Sequence, residues 1–180
     1  MKKLFLKSVL VLSILFISTQ AMAVEKGSKS LGLDFVGFYT INSRLESVYV
    51  NFSTQNINAA GFGATAFFEY GLSDRFGLEF DIGYSRLTYS DKFSGVIREN
   101  FLVADLVGHY YFSNNQKIQP YFIFGAGVVA SSNGAAPTFD AGIGSHFYVA
   151  KDFSIKTEIL IKTAVIYNRA EARIGFAYHF

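Results

Sequence analysis

The sequence has no cysteine, no tryptophan and only two prolines. Without cysteine there is no disulfide framework, no thiolate metal site and no acylation site for a lipoprotein. Beyond residue 23 no stretch offers the roughly 20 continuous apolar residues that a spanning helix needs. Yet 51% of the residues are hydrophobic. A chain this greasy hides its apolar surface in a β core or shows it to lipid. Charge of one sign is missing too: the formal net charge is +2 over 180 residues, which excludes a broad basic surface for nucleic acid. Three of the 16 Lys and Arg residues are Lys2, Lys3 and Lys7; setting them aside leaves 13 positive against 14 negative residues, a balance of −1.

Aromatics and glycine are abundant, with 20 Phe, 11 Tyr and 16 Gly. They fall in alternating patterns, most clearly at the end of the chain. Phe180, Tyr178, Phe176, Ile174, Ala172 and Ala170 occupy every second position, and His179, Ala177, Gly175, Arg173 and Glu171 lie between them. Period two specifies a strand, because successive side chains leave a pleated backbone on opposite faces. One face is apolar and ends in aromatics; the other is small or charged. A strand with lipid outside and a polar lumen inside needs this pattern.

Taken in order, Met1–Ala23 has the features of a secretory signal peptide: a lysine-rich start, an apolar run over residues 8–18, and Ala21-Met22-Ala23 before the cut. Cleavage leaves residues 24–180 as one barrel domain, long enough for eight strands with turns. Strands are predicted at 31–39, 60–71, 76–85, 102–112, 120–130, 139–148, 153–162 and 170–180. Ser-Asp at 73–74, Ser113–Lys117 and Ala150–Asp152 mark tight turns. Residues 41–58, 88–98, 131–136 and 163–169 are predicted as the looser connections on the outer side, the first two long and the last two short. The fifth strand is apolar on both faces, so parity does not orient it. The fold class is therefore all-β, an eight-stranded antiparallel transmembrane β-barrel with both termini on the periplasmic side.

Tyr110-Tyr-Phe-Ser-Asn114, Gln119-Pro-Tyr-Phe-Ile-Phe-Gly-Ala-Gly-Val128, Gly142-Ile-Gly144 and Ile174-Gly-Phe-Ala-Tyr-His-Phe180 resemble the small eight-stranded outer-membrane barrels. That group includes the transmembrane domain of outer-membrane protein A and the barrels similar to outer-membrane proteins X and W. The resemblance implies a bacterial outer-membrane location. It also implies an assembly signal at Phe176, Tyr178 and Phe180, read by the barrel-assembly machinery. Peptidoglycan anchoring is not implied.

Parity places acids at Asp34, Glu69, Glu79, Asp81, Asp105, Asp140, Glu158 and Glu171 on the inward faces, with Lys156, Lys162 and Arg173 as the inward bases. His109 and His146 are available as partners. The expected role is structural, a lumen plugged by ionic and hydrogen-bonded side chains; the alternative is a narrow, cation-preferring water path. Acids outnumber bases, so some carboxylates must be hydrated, protonated or paired with histidine. The register of the last hairpin sets Glu158 opposite Arg173 or Lys162 opposite Glu171. A lipid A deacylase needs a Ser activated by His, and in the enzyme group a His precedes that Ser by two residues. His109 is followed by Tyr111, and His146 by Tyr148, so neither fits, and no catalytic residue is assigned. Gly125-Ala-Gly127 is expected to mark a bend or close strand contact, not a nucleotide loop, since no helix follows it. The three histidines are expected to be too scattered for a metal site, with His179 at the interface, and no cofactor is expected. Partners are expected to be outer-membrane lipid and a host or other surface ligand reached through Tyr49, Asn51, Phe52, Tyr89, Lys92 and Arg98. The barrel is expected to be monomeric.

Overall fold

The structure, a computed structural model, describes residues 25–41, 59–91, 95–112, 117–132, 134–164 and 168–180, and of residues 89–91 and 95 the backbone alone. The expected signal peptide, the loop residues Tyr49, Asn51, Phe52 and Lys92, and the turn residue Ser113 lie outside the described residues. Eight strands follow one another: β1 (Lys29–Ile41), β2 (Ala60–Ser73), β3 (Phe76–Asp91), β4 (Gly95–Tyr111), β5 (Ile118–Ser131), β6 (Gly134–Ala150), β7 (Phe153–Ala164) and β8 (Asn168–His179). Each pairs with the next in antiparallel fashion, and β8 returns to β1, so the sheet closes into a barrel. Closure leaves no free edge, which any sheet in hydrocarbon requires. The seam is bonded to its last residue: Phe180 and Lys29 exchange backbone hydrogen bonds of 2.9 and 3.1 Å.

The alternation turns the usual burial pattern inside out. Leu31, Leu33, Phe35, Phe80, Ile82, Leu106, Phe139, Ile159 and Phe176 are exposed on the exterior, while buried positions carry charge. Apolar surface outside is stable only where the surroundings are lipid. β5, whose faces could not be told apart by pattern, turns Tyr121, Ile123 and Val129 inward and Phe122, Phe124 and Val128 outward. Its pairing decides this, because Tyr111 lies opposite Tyr121 and His109 opposite Ile123.

Three predicted loops are shorter than expected, the last because β7 reaches Ala164 and β8 begins at Asn168. β3 and β4 continue in register to Asp91↔Gly95, so residues 88–98 are mostly strand. Ser90 and Asp91 read as a loop because that end of the hairpin has passed the lipid belt. The third connection also tightens, since β5 reaches Ser131 and β6 resumes at Gly134. Gly125 and Gly127 are strand positions, and a Cβ on Gly127 would run into the Asp105 carboxylate and the Ala104 carbonyl. The close contact expected there is what the glycine permits.

Candidate functional site

The lumen holds every ionisable residue that parity assigned to it. Asp34, Glu69, Glu79, Asp81, Asp105, Asp140, Glu158, Glu171, Lys156, Lys162 and Arg173 are all buried. Arg169, assigned by pattern to the last loop, joins them as the second residue of β8. The charges are segregated by wall. β1–β4 contribute five of the buried acids and, among the described residues, no buried lysine or arginine; all four buried cations come from β7 and β8. On the acid wall Glu69 lies opposite Glu79, and Asp81 opposite Asp105. Like charges directly opposed destabilise a sheet, so this wall depends on cations reaching it across the lumen.

Three cations make that crossing. The Lys156 ammonium donates to both oxygens of Glu79 at 2.6 and 2.8 Å and to Asp34 at 3.1 Å, with Glu158 Oε1 at 3.2 Å. It also sits 3.9 Å above the Phe67 ring, where the ring face favours a cation. Lys162 donates to Asp105 at 2.6 Å and Asp140 at 2.7 Å. Arg173 spans three strands: Nη1 donates to Asp81 at 2.8 Å and lies 3.6 Å from Glu158, and Nη2 is 3.0 Å from Glu171. The β7–β8 register is the one with Glu158 opposite Arg173, while Lys162 lies opposite Arg169. Arg169 pairs with Glu171.

Glu69 alone among these carboxylates has no lysine or arginine partner among the described residues. His109 Nδ1 lies 3.1 Å from it, the Tyr111 hydroxyl donates at 2.5 Å, and Ser30 donates at 3.3 Å. Around this group the periplasmic half of the lumen is filled with rings. Tyr111, Tyr121, His109 and His146 are fully buried and packed against one another, and Tyr148 donates to Gln119 at 3.0 Å.

The histidines are not scattered. His146 and His179 have ring centroids 5.6 Å apart, and the Ser154 hydroxyl joins them, 2.9 Å from His146 Nδ1 and 2.8 Å from His179 Nε2. His179 is thus a lumen residue, 9% exposed, and not an interfacial one; its parity on β8 is that of Arg173. Pattern reading missed the Ser154–His146 pair because the two lie on different strands. Glu69 Oε2 stands 3.9 Å from His146 Nε2, too far for the hydrogen bond that orients a catalytic imidazole, and Ser154 is fully buried. Glu69, Glu79 and His109 hold donor atoms within 4.8 Å of one another, a spacing a metal ion could bridge. Lys156 already supplies positive charge to both oxygens of Glu79, so the set fits an internal ammonium better than an added dication.

No protein-family model and no curated protein matches the sequence. Solved structures do. OprG of Pseudomonas aeruginosa superposes with a TM-score of 0.63 at 14% identity, over 91% of this chain and 99% of that one. Neisserial surface protein A gives 0.62 at 14% identity, covering 86% and 100%. Ail, the attachment invasion locus protein of Yersinia pestis, gives 0.54 at 14% identity, covering 86% and 99%. This chain is an eight-stranded barrel of the outer-membrane kind. The lipid-facing belt, the even strand count and the closed seam are what a bacterial outer membrane demands of such a chain. At these identities the likeness concerns the fold and carries no activity with it.

Proposed function

We propose that this barrel is a non-conducting, non-catalytic protein of the bacterial outer membrane that works through the surface it exposes outside the cell. The observation that supports this is the packing of the lumen. Three tyrosines, two histidines, two lysines and several carboxylates there have essentially no exposed surface, and charges held this closely leave neither a water column nor a reacting centre. What remains available is the outer end, where β3 and β4 extend beyond the lipid belt. A relative in fold points the same way: Ail of Yersinia pestis is an attachment protein by name, and its structure is known in complex with the heparin analogue sucrose octasulfate. A host or other surface ligand is the partner this reading implies.

Conductance of the purified barrel in planar bilayers tests it. The expected trace shows no discrete steps; stable, cation-selective openings would instead favour the path that eight acids against four cations suggest. Lipid A recovered from cells with and without the protein is expected to have the same acyl pattern.

A further inference from the structure

On the exterior, the apolar face of β3 and β4 ends at one level on both strands. Phe80, Ile82 and Tyr84 point outward on β3, followed by Arg86 and Thr88; on β4, Leu106 and Leu102 are followed by Asn100 and Arg98. The register makes these changes coincide, because Tyr84 lies opposite Leu102 and Arg86 opposite Asn100. On the other side of β3, Phe62 lies opposite Arg86 and is two-thirds exposed. The step from hydrocarbon-loving to hydrogen-bonding side chains therefore runs across β3 and β4, with Phe62 of β2 as an apolar flank beside it, on the end of the barrel away from the termini. That is the outer edge of the membrane.

Arg86 is held in place there. Its Nε donates to Asn100 Oδ1 at 2.9 Å, the Tyr84 hydroxyl donates to the same oxygen at 2.6 Å, and Arg86 Nη2 donates to the Tyr84 hydroxyl at 3.4 Å. Both partners are neutral. They orient the guanidinium without cancelling its charge. Arg98, opposite Thr88, is the diagonal neighbour of Arg86 on the same face and is exposed. Diagonal neighbours are about 7–8 Å apart at the backbone, within reach of one another through long side chains. Among the described residues no carboxylate shares this outward face at this level.

We propose that Arg86 and Arg98 bind the phosphate of a phosphorylated glycolipid in the outer leaflet, with its acyl chains lying along Phe62, Tyr84 and Leu102. An arginine on the lipid face is tolerated near the interface and disfavoured deeper, and phosphate is the anion that a preorganised guanidinium fork takes best. Two positive charges beside exposed apolar residues fit a ligand with an anionic head and hydrocarbon tails. A free anion would have no use for the second half of that surface.

The test uses the whole protein in phosphatidylcholine nanodiscs doped with bis-phosphorylated lipid A or with the same lipid after removal of its phosphates, retention being read by native mass spectrometry. The wild type is expected to retain the phosphorylated lipid at least about tenfold better, and Arg86→Gln/Arg98→Gln to lose that preference. Lys151→Gln, an exposed change in a periplasmic turn, should keep it. Heat-modifiable migration on gels confirms that each variant is folded. Should the double glutamine variant not fold, Arg86→Lys/Arg98→Lys replaces it, with a reduced but measurable preference expected. Undiminished retention by the glutamine variant, or equal retention of the two lipids by the wild type, would overturn the proposal. So would displacement of the lipid by inorganic phosphate at matching concentration, which would leave an anion site with no claim on a lipid.

Discussion

Arg173 reaches Asp81 on β3, Glu158 on β7 and Glu171 on β8 with one guanidinium. Pattern alone offered Glu158 as its partner in one of two registers, because parity assigns faces and register only between neighbouring strands. The shortest of these bonds instead crosses the lumen to Asp81. Removing one side of a buried pair leaves the other charge without compensation, so Arg173→Ala is expected to cost about 3–5 kcal/mol of folded stability. A double-mutant cycle with Asp81→Ala should show coupling larger than the cycle with Glu158→Ala. Folding titrations into lipid vesicles measure both, and equal coupling energies would contradict the geometry. At the periplasmic rim, His179→Ala removes a partner of buried Ser154 and should cost about 1–3 kcal/mol. Pattern placed this residue at the interface, whereas it is buried in the lumen.

At the scale of a strand, glycines make room for the plug. A Cβ on Gly175 of β8 would collide with the Asp34 carboxylate and the Leu33 carbonyl, whereas one on Gly37 of β1 would meet nothing within 4 Å. Gly175→Ala should therefore destabilise the barrel by about 1–3 kcal/mol, and Gly37→Ala should be close to neutral; thermal unfolding monitored by gel shift compares them. The terminal strand carries a second expectation. Deleting Phe180 removes both backbone bonds to Lys29 and the ring stacked on Tyr178. Less protein should then reach the outer membrane, as membrane fractionation would show, while His179→Ala should arrive at the wild-type level. Normal arrival of the truncated chain would mean that Phe176 and Tyr178 suffice.

How much of these elements the sequence disclosed depends on how unlike their two faces are. β1, β3, β7 and β8 alternate between apolar and charged residues, so their faces and most lumen residues could be read directly. β5 has Tyr121, Ile123 and Val129 on one side and Phe122, Phe124 and Val128 on the other, and no polarity contrast betrays that Tyr121 sits at the heart of the plug. Its hydroxyl donates to Glu158 at 2.9 Å, a bond from β5 to β7 that passes over Gly144 of β6, the residue opposite both. Arg169 was hidden for another reason: β8 begins two residues before the apolar alternation does. The Ser154–His146–His179 group joins the consecutive strands β6, β7 and β8, so it needed the register between them.

For the molecule as a whole, the division of charge between walls has a consequence in time. Strands β1–β4 bring five buried acids together with no buried lysine or arginine among the described residues, and the three cations that reach them arrive only with β7 and β8. A sheet of the first four strands is self-repelling inside and stays hydrated; it has nothing to clamp onto. The final hairpin acts as a key that turns late: when Lys156, Lys162 and Arg173 swing over the acid wall, neutralisation and closure of the seam occur in one event. Barrel closure should then be all-or-none, with no long-lived open sheet. Lys156→Met is expected to slow the appearance of the heat-modifiable form in vesicle refolding. Ile161→Ala, a lipid-facing change on the same strand, should leave that rate nearly unchanged. Equal rates for the two variants would show that closure does not wait for charge. If the order holds, the chain carries its own safeguard against closing too early on the wrong strands.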